Sequence, residues 1–178
     1  MNKALFLDRD GTIIVDNGYA HKPEDIQLIP GAANALRRAH ELGYLLFLFT
    51  NQSGVGRGMF TLEDVHRCNA HMLELLGLGD ELFVDICIAP EHPENDPPRY
   101  RKPSPRYILE MIDRHGLDPT QCAMVGDRTS DWGAGVNAGI RPVALRTGKD
   151  LSDKAQAFIA EHQIAVFDDL AAFVATLG

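Results

Sequence analysis

Two aspartates separated by one residue follow a short apolar segment near the start of the chain. Asp8 and Asp10 come directly after residues 4–7, and Gly11 follows them. A short apolar segment that ends at polar and glycine residues is typical of a buried strand, in which residues two apart point to the same face. We therefore expect the two carboxylates to project together and Arg9 to point away from them.

A pair of carboxylates in this arrangement suits two chemical tasks. Close carboxylates repel each other, which raises the proton affinity of one of them unless a cation intervenes. One acid can bind a hard metal ion and attack a substrate, while the other transfers a proton. The alternative is that the aspartates cap a helix or form a turn, because Asp and Gly are common in turns. These residues alone favour catalysis only slightly.

Polar residues also follow a second apolar segment, which ends at Thr50. The Thr50 hydroxyl is followed by the Asn51 and Gln52 amides in a glycine-rich loop, whose backbone N–H groups could cradle an anion. Arg101 and Lys102 end a proline-rich loop, where lysine could neutralise a phosphate and arginine could grip its oxygens. A plain turn and a solvated basic patch are the respective alternatives.

A further pair of carboxylates follows Gly126, at the end of another apolar segment. Asp127 suits a magnesium ligand. Asp131 could be a second ligand or could bind a ligand water. Equally, it could be an early acid on its helix, where the helix dipole favours negative charge.

Strands and helices are predicted in alternation along the chain. The predicted strands cover residues 4–7, 44–50, 83–89, 122–125, 142–145 and 164–167. The predicted helices lie between Gly31 and Gly43, from Thr61 through Leu75, from Ser104 to Gly116, and over residues 130–138, 153–161 and 170–177. The glycine-rich segment 51–58 is predicted to be a loop. This alternation indicates a mainly parallel sheet covered on both faces, which binds ligands beyond the carboxyl ends of its strands.

Length and composition limit the classes of partner. The 178 residues fit one domain, residues 1–178, and the net charge of -8 disfavours nucleic acid or an anionic membrane. The three cysteines form no CxxC pattern and indicate a reducing compartment. No signal sequence is visible and the longest apolar run is too short to span a bilayer. We expect a cytoplasmic monomer.

The order of these motifs resembles the haloacid dehalogenase (HAD) superfamily of phosphotransferases over nearly the whole chain. The motifs are Asp-x-Asp-Gly-Thr, Thr-Asn, Lys-Pro and Gly-Asp-x-x-x-Asp. The resemblance implies a Rossmann-like three-layer α/β/α fold, with Asp8 as a nucleophile that forms a phospho-aspartate. Asp10 would be the general acid and base. It further implies Mg2+ on Asp8, the Asp10 carbonyl oxygen and Asp127, with Thr50 and Lys102 holding the phosphoryl oxygens.

The intervals 11–31 and 90–103 are too short to hold a cap domain, and the loops look similar to a capless subgroup. Its members hydrolyse D-glycero-D-manno-heptose 1,7-bisphosphate or histidinol phosphate. The resemblance implies substrate contacts at Asp16, Asn17, Gly18, Tyr19, Thr50, Asn51, Gln52, Ser53, Arg101, Lys102 and Arg128.

Charge favours the heptose bisphosphate as the substrate. One phosphate is served by Lys102 and Mg2+, so the remaining arginines on the predicted active-face loops suggest a second anionic group. They are Arg99 and three that we include among the substrate-binding residues, Arg57, Arg101 and Arg128. Histidinol phosphate instead carries an amine, which these cations would repel. The alternatives are histidinol phosphate or another small phosphate ester, a module that binds phosphate without turnover, and arginines that merely balance the acids. A binding module would not need Asp10 as a general acid.

One departure from the subgroup concerns zinc. The subgroup usually carries a structural zinc on a Cys-x-His…Cys-x-Cys loop, whereas the matching segments here are 89–91 (Ala-Pro-Glu) and 98–100 (Pro-Arg-Tyr). His92 alone cannot form a tetrahedral site. We therefore expect no structural zinc, and we expect prolines to stiffen the loop instead. Those prolines are residues 90, 93, 97, 98, 103 and 105.

Overall fold

Six parallel strands form one sheet in the computed structural model, which describes residues 2–92, 94, 99–148 and 152–177. The strands are β1 (Asn2–Leu7), β2 (Tyr44–Asn51), β3 (Asp85–Ala89), β4 (Leu117–Gly126), β5 (Arg141–Leu145) and β6 (Ala165–Phe167). Their order across the sheet is β3-β2-β1-β4-β5-β6, and every neighbouring pair is parallel. The predicted parallel α/β architecture is confirmed.

Seven helices lie among the described residues. They are α1 (Ala32–Glu41), α2 (Ser53–Gly56), α3 (Leu62–Leu76), α4 (Arg106–His115), α5 (Thr129–Ala138), α6 (Asp153–Glu161) and α7 (Leu170–Val174). Between β1 and α1 the chain forms a 3-10 turn at Pro23–Asp25 and no cap domain. None of the helices in the described part of the chain is long and apolar enough to cross a membrane.

The central strands are buried on both faces because their apolar side chains alternate between two helical layers. In β1, Leu5 and Leu7 face the cluster that contains residues of α1, α3 and α7. Ala4 and Phe6 face the opposite cluster, which contains residues of α4 and α5. Side chains two apart in a strand share a face, so one continuous apolar run fills both cores. The result is the predicted three-layer arrangement.

Two predicted boundaries differ because of contacts that are distant in sequence. The segment 51–58 was predicted to be a loop, but α2 forms one helical turn there, and the Gly56 N–H donates to the Pro90 carbonyl beyond β3 at 3.0 Å. The fourth strand begins at Leu117 rather than Cys122, because Asn2 pairs with Leu117 before the register shifts at Ala4. Both differences depend on long-range packing that local patterns do not encode.

Smaller corrections concern the ends of helices and strands. Pro105 is the N-cap of α4, which was predicted to begin at Ser104, and the Ser104 hydroxyl accepts only a 3.4 Å hydrogen bond from the Arg106 N–H. The third strand begins at Asp85 and the sixth at Ala165, and α7 ends at Val174. At the start of α3, Thr61 and Asp64 exchange side-chain-to-backbone hydrogen bonds of 3.1 and 2.7 Å, which form a capping box. Prolines 93, 97 and 98 lie outside the described residues.

Candidate active site

The site lies where the carboxyl ends of three adjacent strands meet. Asp8 follows β1, Thr50 lies near the end of β2, and Asp127 follows β4. Because β1 lies between β2 and β4, these residues converge from three segments that are distant in sequence. This is the edge at which parallel α/β sheets bind ligands.

A tight turn, rather than an extended strand, places Asp10 beside this edge. The Arg9 carbonyl accepts backbone hydrogen bonds from Thr12, Ile13 and Ile14 at 3.3, 2.9 and 3.1 Å. Gly11 adopts a φ of 77°, which glycine tolerates and other residues rarely adopt. The strand geometry therefore ends at Leu7, yet the turn brings Asp10 to the pocket that Asp8 lines.

The Arg9 side chain does not point away from the carboxylates, contrary to the prediction. It is fully buried, and its Nε and Nη2 donate to Asp10 Oδ2 and Oδ1 at 3.0 and 3.3 Å. Nη1 donates to Asn69 Oδ1 of α3 at 3.0 Å. Burial raises the pKa of Asp10, and the Arg9 charge opposes that rise. The arginine thus fixes the orientation of this carboxylate.

Gln52 joins Asp10 to Thr50. Its Nε2 donates to Asp10 Oδ2 at 3.1 Å and to the Thr50 hydroxyl at 2.9 Å. Thr50 itself is fully buried and is not among the residues that line the pocket, whereas Gln52 is. The expected phosphoryl contact of Thr50 would therefore have to be made from beneath the pocket surface.

Lys102 is the cation at the bottom of the pocket. Its buried ammonium donates to Asp8 Oδ1 at 2.9 Å and to the Phe49 carbonyl at 2.7 Å, and lies 2.7 Å from Asp131 Oδ1. Burial alone would lower the pKa of Lys102, but the charges of Asp131 and Asp8 outweigh that effect and raise it. The lysine therefore stays charged beside the Asp8 carboxylate.

Asn51 holds the backbone that carries this lysine. Its Oδ1 accepts the Lys102 N–H at 3.0 Å, and its Nδ2 donates to the Lys102 carbonyl at 3.2 Å. Asn51 ends β2, so this pair of hydrogen bonds fixes the Lys102 backbone to the sheet. Asn51 also lines the pocket, as expected for a residue near the substrate.

Three carboxylates form a cluster suited to a divalent cation. Oxygens of Asp8, Asp127 and Asp131 lie within 4.8 Å of one another, and all three residues are buried. Neither Asp127 oxygen accepts a hydrogen bond from a described residue, although Arg128 Nε lies 3.8 Å from Oδ2. Burial, together with the charges of Asp8 and Asp131, raises the pKa of Asp127 to about 8.

Glycines leave room for the Asp127 carboxylate. A Cβ at Gly11 would lie 2.7 Å from Asp127 Cγ, and one at Gly148 would overlap the same carboxylate. Buried carboxylate oxygens without hydrogen-bond donors need a positive partner, and hard cations such as Mg2+ prefer oxygen ligands. The donor set therefore fits a magnesium ion.

Asp131 is more tightly bound into the site than the sequence suggested. Its Oδ2 accepts the Arg128 N–H at 3.0 Å, and its Oδ1 lies 2.7 Å from the Lys102 ammonium. Burial and the nearby Asp8 charge raise the pKa of Asp131 to about 6, against the opposing effect of Lys102. Because Lys102 contacts one Asp131 oxygen and the Arg128 N–H contacts the other, both oxygens already have partners before a metal ion binds.

The pocket brings together most of the residues predicted to contact substrate. Its lining contains Asp8, Asp10, Gly18, Tyr19, Asn51, Gln52, Ser53, Arg101, Lys102, Arg128, Ser130 and Asp131. Ser130 was not predicted; its place near the N-terminus of α5, three residues after Asp127, is the signal that could have identified it. Tyr19 is 47% exposed and stands at the rim.

Besides Thr50, three predicted substrate residues do not line the pocket. Asp16 Oδ2 accepts a 2.6 Å ion-paired hydrogen bond from Arg128 Nη2, which links the loop after β1 to the loop after β4. Asn17 Nδ2 donates to the Asp25 carbonyl at 3.3 Å. Arg57 is exposed, but it is close enough to Arg101 for its charge to lower the pKa of that guanidinium, in addition to the effect of burial.

Comparison with known proteins identifies relatives of this chain. A family model described as HAD-hydrolase-like matches residues 99–173. A D-glycero-beta-D-manno-heptose-1,7-bisphosphate 7-phosphatase from Haemophilus influenzae is 37% identical over 176 residues, covering 96% of this chain and 95% of the relative. The phosphatase of the same description from Escherichia coli K12 is 36% identical over 160 residues, covering 86% and 84%.

Solved structures agree with this grouping. A D,D-heptose 1,7-bisphosphate phosphatase from B. bronchiseptica, complexed with magnesium and phosphate, superposes with a TM-score of 0.85 at 28% identity, covering 98% of this chain and 97% of that one. A D,D-heptose 1,7-bisphosphate phosphatase from Burkholderia thailandensis gives a TM-score of 0.66 at 26% identity, with 98% and 97% coverage. The similarity extends over the whole sheet and both helical layers.

Proposed function

The chain belongs to the HAD-like family of phosphatases, and we propose that it hydrolyses the 7-phosphate of D-glycero-D-manno-heptose 1,7-bisphosphate. Membership of this family makes it a phosphoric monoester hydrolase. The observation that carries the substrate proposal is the pocket itself. Asp8 and Lys102 lie 2.9 Å apart at its base, while Arg101 and Arg128 add positive charge to its walls.

In the proposed reaction Asp8 is the nucleophile. An oxygen of its carboxylate attacks phosphorus in line, and the bond from phosphorus to the C7 oxygen breaks. Asp10 gives its proton to that oxygen as it leaves, so that heptose 1-phosphate is released and Asp8 carries the phosphoryl group. Asp10 then accepts a proton from water, whose oxygen attacks phosphorus and regenerates Asp8 with release of inorganic phosphate.

The raised pKa of Asp10 supports its role as the proton donor. Burial favours the protonated carboxyl group, and a group that holds its proton at a higher pH is a better general acid near neutrality. Arg9 limits this rise and keeps the carboxylate in a fixed orientation through two hydrogen bonds. Arg9 thus orients the Asp10 carboxyl group for proton transfer and limits the rise in its pKa.

We propose that Asp8, the Asp10 main-chain carbonyl oxygen and Asp127 hold a Mg2+ ion. The ion supplies positive charge that offsets the repulsion between these acidic oxygens and the phosphoryl group. Asp131 Oδ1 lies 2.7 Å from the Lys102 ammonium, and we propose that it positions this lysine. The two buried Asp127 oxygens without hydrogen-bond donors among the described residues support this assignment.

Lys102 and Thr50 are proposed to hold the equatorial oxygens of the transferred phosphoryl group. The Lys102 ammonium is held by three acceptors, so its charge is positioned before substrate binds. The Thr50 hydroxyl accepts the Gln52 amide, which leaves its own proton for a phosphoryl oxygen. A preorganised cation costs no reorganisation when charge develops in the transition state.

The rest of the pocket is proposed to bind the sugar and its second phosphate. Gly18, Tyr19 and Ser53 would contact the sugar. Arg101 and Arg128 would bind the C1 phosphate, and Arg57 would add positive potential from outside the pocket. The amine of histidinol phosphate would be repelled by the same cations. This difference in charge is why we favour the bisphosphate.

Steady-state kinetics test the substrate. We expect kcat/KM with Mg2+ to be highest for heptose 1,7-bisphosphate, lower for fructose 1,6-bisphosphate and lowest for histidinol phosphate. Asp8→Asn provides the background rate, because it removes the proposed nucleophile. A preference for histidinol phosphate would refute the substrate, and the absence of turnover on every phosphate ester would refute the catalytic mechanism.

The proposal also concerns the cellular context. The substrate would place the protein in the synthesis of heptose precursors for lipopolysaccharide, and we propose that it acts there as a single-domain monomer in the cytoplasm. The similarity to heptose bisphosphate phosphatases over nearly the full length of the chain supports this context. Gel filtration at micromolar concentration with light scattering would test the monomer.

A further inference from the structure

Glu91 closes the base of the loop that connects β3 to Lys102. Its Oε1 accepts the Tyr100 N–H at 2.9 Å, and its main-chain oxygen lies 3.4 Å from the Arg101 Nη1 that donates to it. We propose that Glu91 is a positioning residue that fixes Arg101 in the pocket and thereby sets the affinity for the second anionic group of the substrate. The assignment of Arg101 to that group rests on the proposed function.

The segment that carries Glu91 is itself fixed to the sheet and to α2. The Ala89 carbonyl accepts the Gln52 N–H at 2.8 Å, and the Pro90 carbonyl accepts the Gly56 N–H at 3.0 Å. A Cβ at Gly56 would lie only 2.6 Å from the Pro90 oxygen, so α2 packs directly against this backbone. Glu91 therefore extends from a rigid support.

The segment on the other side of the loop is fixed to α4. The Tyr100 hydroxyl donates to Glu110 Oε2 at 2.8 Å. The Arg99 and Arg106 guanidinium groups lie 4.8 and 5.8 Å from the centre of the Tyr100 ring, within the range of cation–π attraction. The Glu91 bond thus joins two supported segments, one on the sheet side and one on the helix side.

Arg101 lies between two fixed points of the main chain. The Tyr100 N–H before it is bonded to Glu91, and the Lys102 N–H after it is bonded to Asn51 at 3.0 Å. With both neighbours held, few backbone rotations remain that would move the Arg101 side chain. The two contacts from Glu91 therefore restrict both the backbone and the guanidinium of Arg101.

Charge adds to this geometry. Glu91 Oε2 is buried and accepts no hydrogen bond from the described residues, so this carboxylate needs a positive charge nearby. Arg101 provides that charge, and the Glu91 carboxylate in turn opposes the fall in the Arg101 pKa that burial causes. The attraction between the Glu91 and Arg101 charges acts together with the hydrogen bond from the Tyr100 N–H to hold Arg101 in place.

Two substitutions separate a positioning role from a general loss of structure. Glu91→Ala removes the acceptor for the Tyr100 N–H, whereas Glu91→Gln keeps one carbonyl oxygen in its place. Glu94→Ala is the matched control, because Glu94 is an exposed glutamate in the same loop. Kinetics are measured on heptose 1,7-bisphosphate and on p-nitrophenyl phosphate, which has no second anionic group.

We expect Glu91→Ala to raise KM for the bisphosphate about tenfold with little change in kcat, because a misplaced binding group weakens binding. Its kcat/KM on p-nitrophenyl phosphate should stay within about twofold of wild type, and both other variants should stay within about threefold on both substrates. An unchanged KM for the bisphosphate, or equal losses on both substrates, would overturn the positioning role.

Amide hydrogen exchange at Tyr100 provides a readout that needs no substrate. We expect the Tyr100 amide hydrogen to exchange at least about tenfold faster in Glu91→Ala than in wild type, and at about the wild-type rate in Glu91→Gln. Unchanged exchange in Glu91→Ala would overturn the proposal. Arg101→Ala tests the proposed function separately. If this variant leaves KM for the bisphosphate unchanged while Tyr100 exchanges as expected, Arg101 does not bind the second anionic group, but the hydrogen bond from Tyr100 to Glu91 still fixes the backbone.

Discussion

The guanidinium of Arg9 turns back onto its neighbour Asp10 and donates to both carboxylate oxygens, at 3.0 and 3.3 Å. The arginine is fully buried and receives further support from Asn69 of α3, 3.0 Å away. A bidentate contact fixes the plane of a carboxylate as well as its charge. The proposed general acid is therefore oriented by a residue that does not line the pocket.

Asp10→Asn should separate the two halves of the proposed reaction. An aryl phosphate has a leaving group that needs little protonation, so Asp8 should still be phosphorylated, but no base remains to activate water. We expect a burst of about one nitrophenol per enzyme, followed by a steady state at least about a hundredfold slower than wild type. Rapid-mixing absorbance measures the burst.

Two further results bear on this prediction. Asp8→Asn should show neither a burst nor turnover, because the nucleophile itself is missing. Asp10→Asn should lose more activity on an alkyl phosphate than on the aryl phosphate, since the alkoxide needs its proton. Equal losses on the two substrates would contradict a role for Asp10 in protonating the leaving group.

Asn69→Leu should destabilise the protein through the buried Arg9. The substitution removes an acceptor from a charged donor that has no access to water, which costs about 1–3 kcal/mol of unfolding free energy. Urea denaturation measures the change. Asn34→Leu is a matched control, because Asn34 Oδ1 also accepts from an arginine Nη1, that of Arg37 at 2.8 Å, but on the exposed surface. The control should change stability by less than about 0.5 kcal/mol, and equal effects would show that burial is irrelevant here.

Lys102→Met should reduce both activity and stability. It leaves the buried carboxylates of Asp8 and Asp131 without their shared cation, and breaking such a pair costs about 3–5 kcal/mol. We expect kcat/KM to fall at least about a hundredfold, since a preorganised charge in the site is lost. Adding Asp131→Asn should restore part of the stability but not the activity, as measured by thermal melting and steady-state assays. A double variant as unstable as the single one would argue against the ion pair.

The magnesium-free protein should become less stable as the pH rises. The pKa of Asp127 is raised from 3.8 to about 8, because burial and the neighbouring carboxylates disfavour its charge. Between these two values the folded state binds more protons than the unfolded state, so the free energy of unfolding falls with increasing pH. Thermal melting in EDTA at several pH values between about 4 and 8 measures the slope.

Magnesium and Asp127→Asn should each reduce that slope. The ion would replace the proton on the carboxylate, so the stabilisation by Mg2+ should grow as the pH rises. Asparagine does not titrate, so Asp127→Asn should reduce the slope in EDTA most strongly between about pH 6 and 8, above the pKa of about 6 of Asp131, and should also remove the stabilisation by Mg2+. An identical slope in the variant and in wild type would rule out Asp127 as its source.

The location of the predicted site residues at the carboxyl ends of the strands followed from local patterns in the sequence. Asp8, Thr50 and Asp127 each adjoin an apolar segment, and alternation with helices predicts parallel strands whose ends share one edge. The motif order then indicated a nucleophile, a cation and carboxylates for a metal. None of this required knowledge of which strands are neighbours, because all carboxyl ends of a parallel sheet lie on the same side.

The parts that the sequence did not predict depend on contacts between distant segments. Arg9 was expected to follow the strand alternation, but a turn and the acceptor on Asn69 redirect its side chain. The helical turn α2 is bonded to the segment after β3 through the Gly56 N–H and the Pro90 carbonyl, and the Glu91 carboxylate bonds to the Tyr100 N–H. Local periodicity contains no information about such pairings, so the sequence pattern alone could not predict them.

The position of β1 between β2 and β4 also has a consequence during translation. Asp8 precedes β2 and β4 in the sequence, so it leaves the ribosome before the strand that Asp127 follows. A polypeptide that ends before β4 therefore carries the proposed nucleophile without Asp127, and we expect it not to hydrolyse phosphate esters.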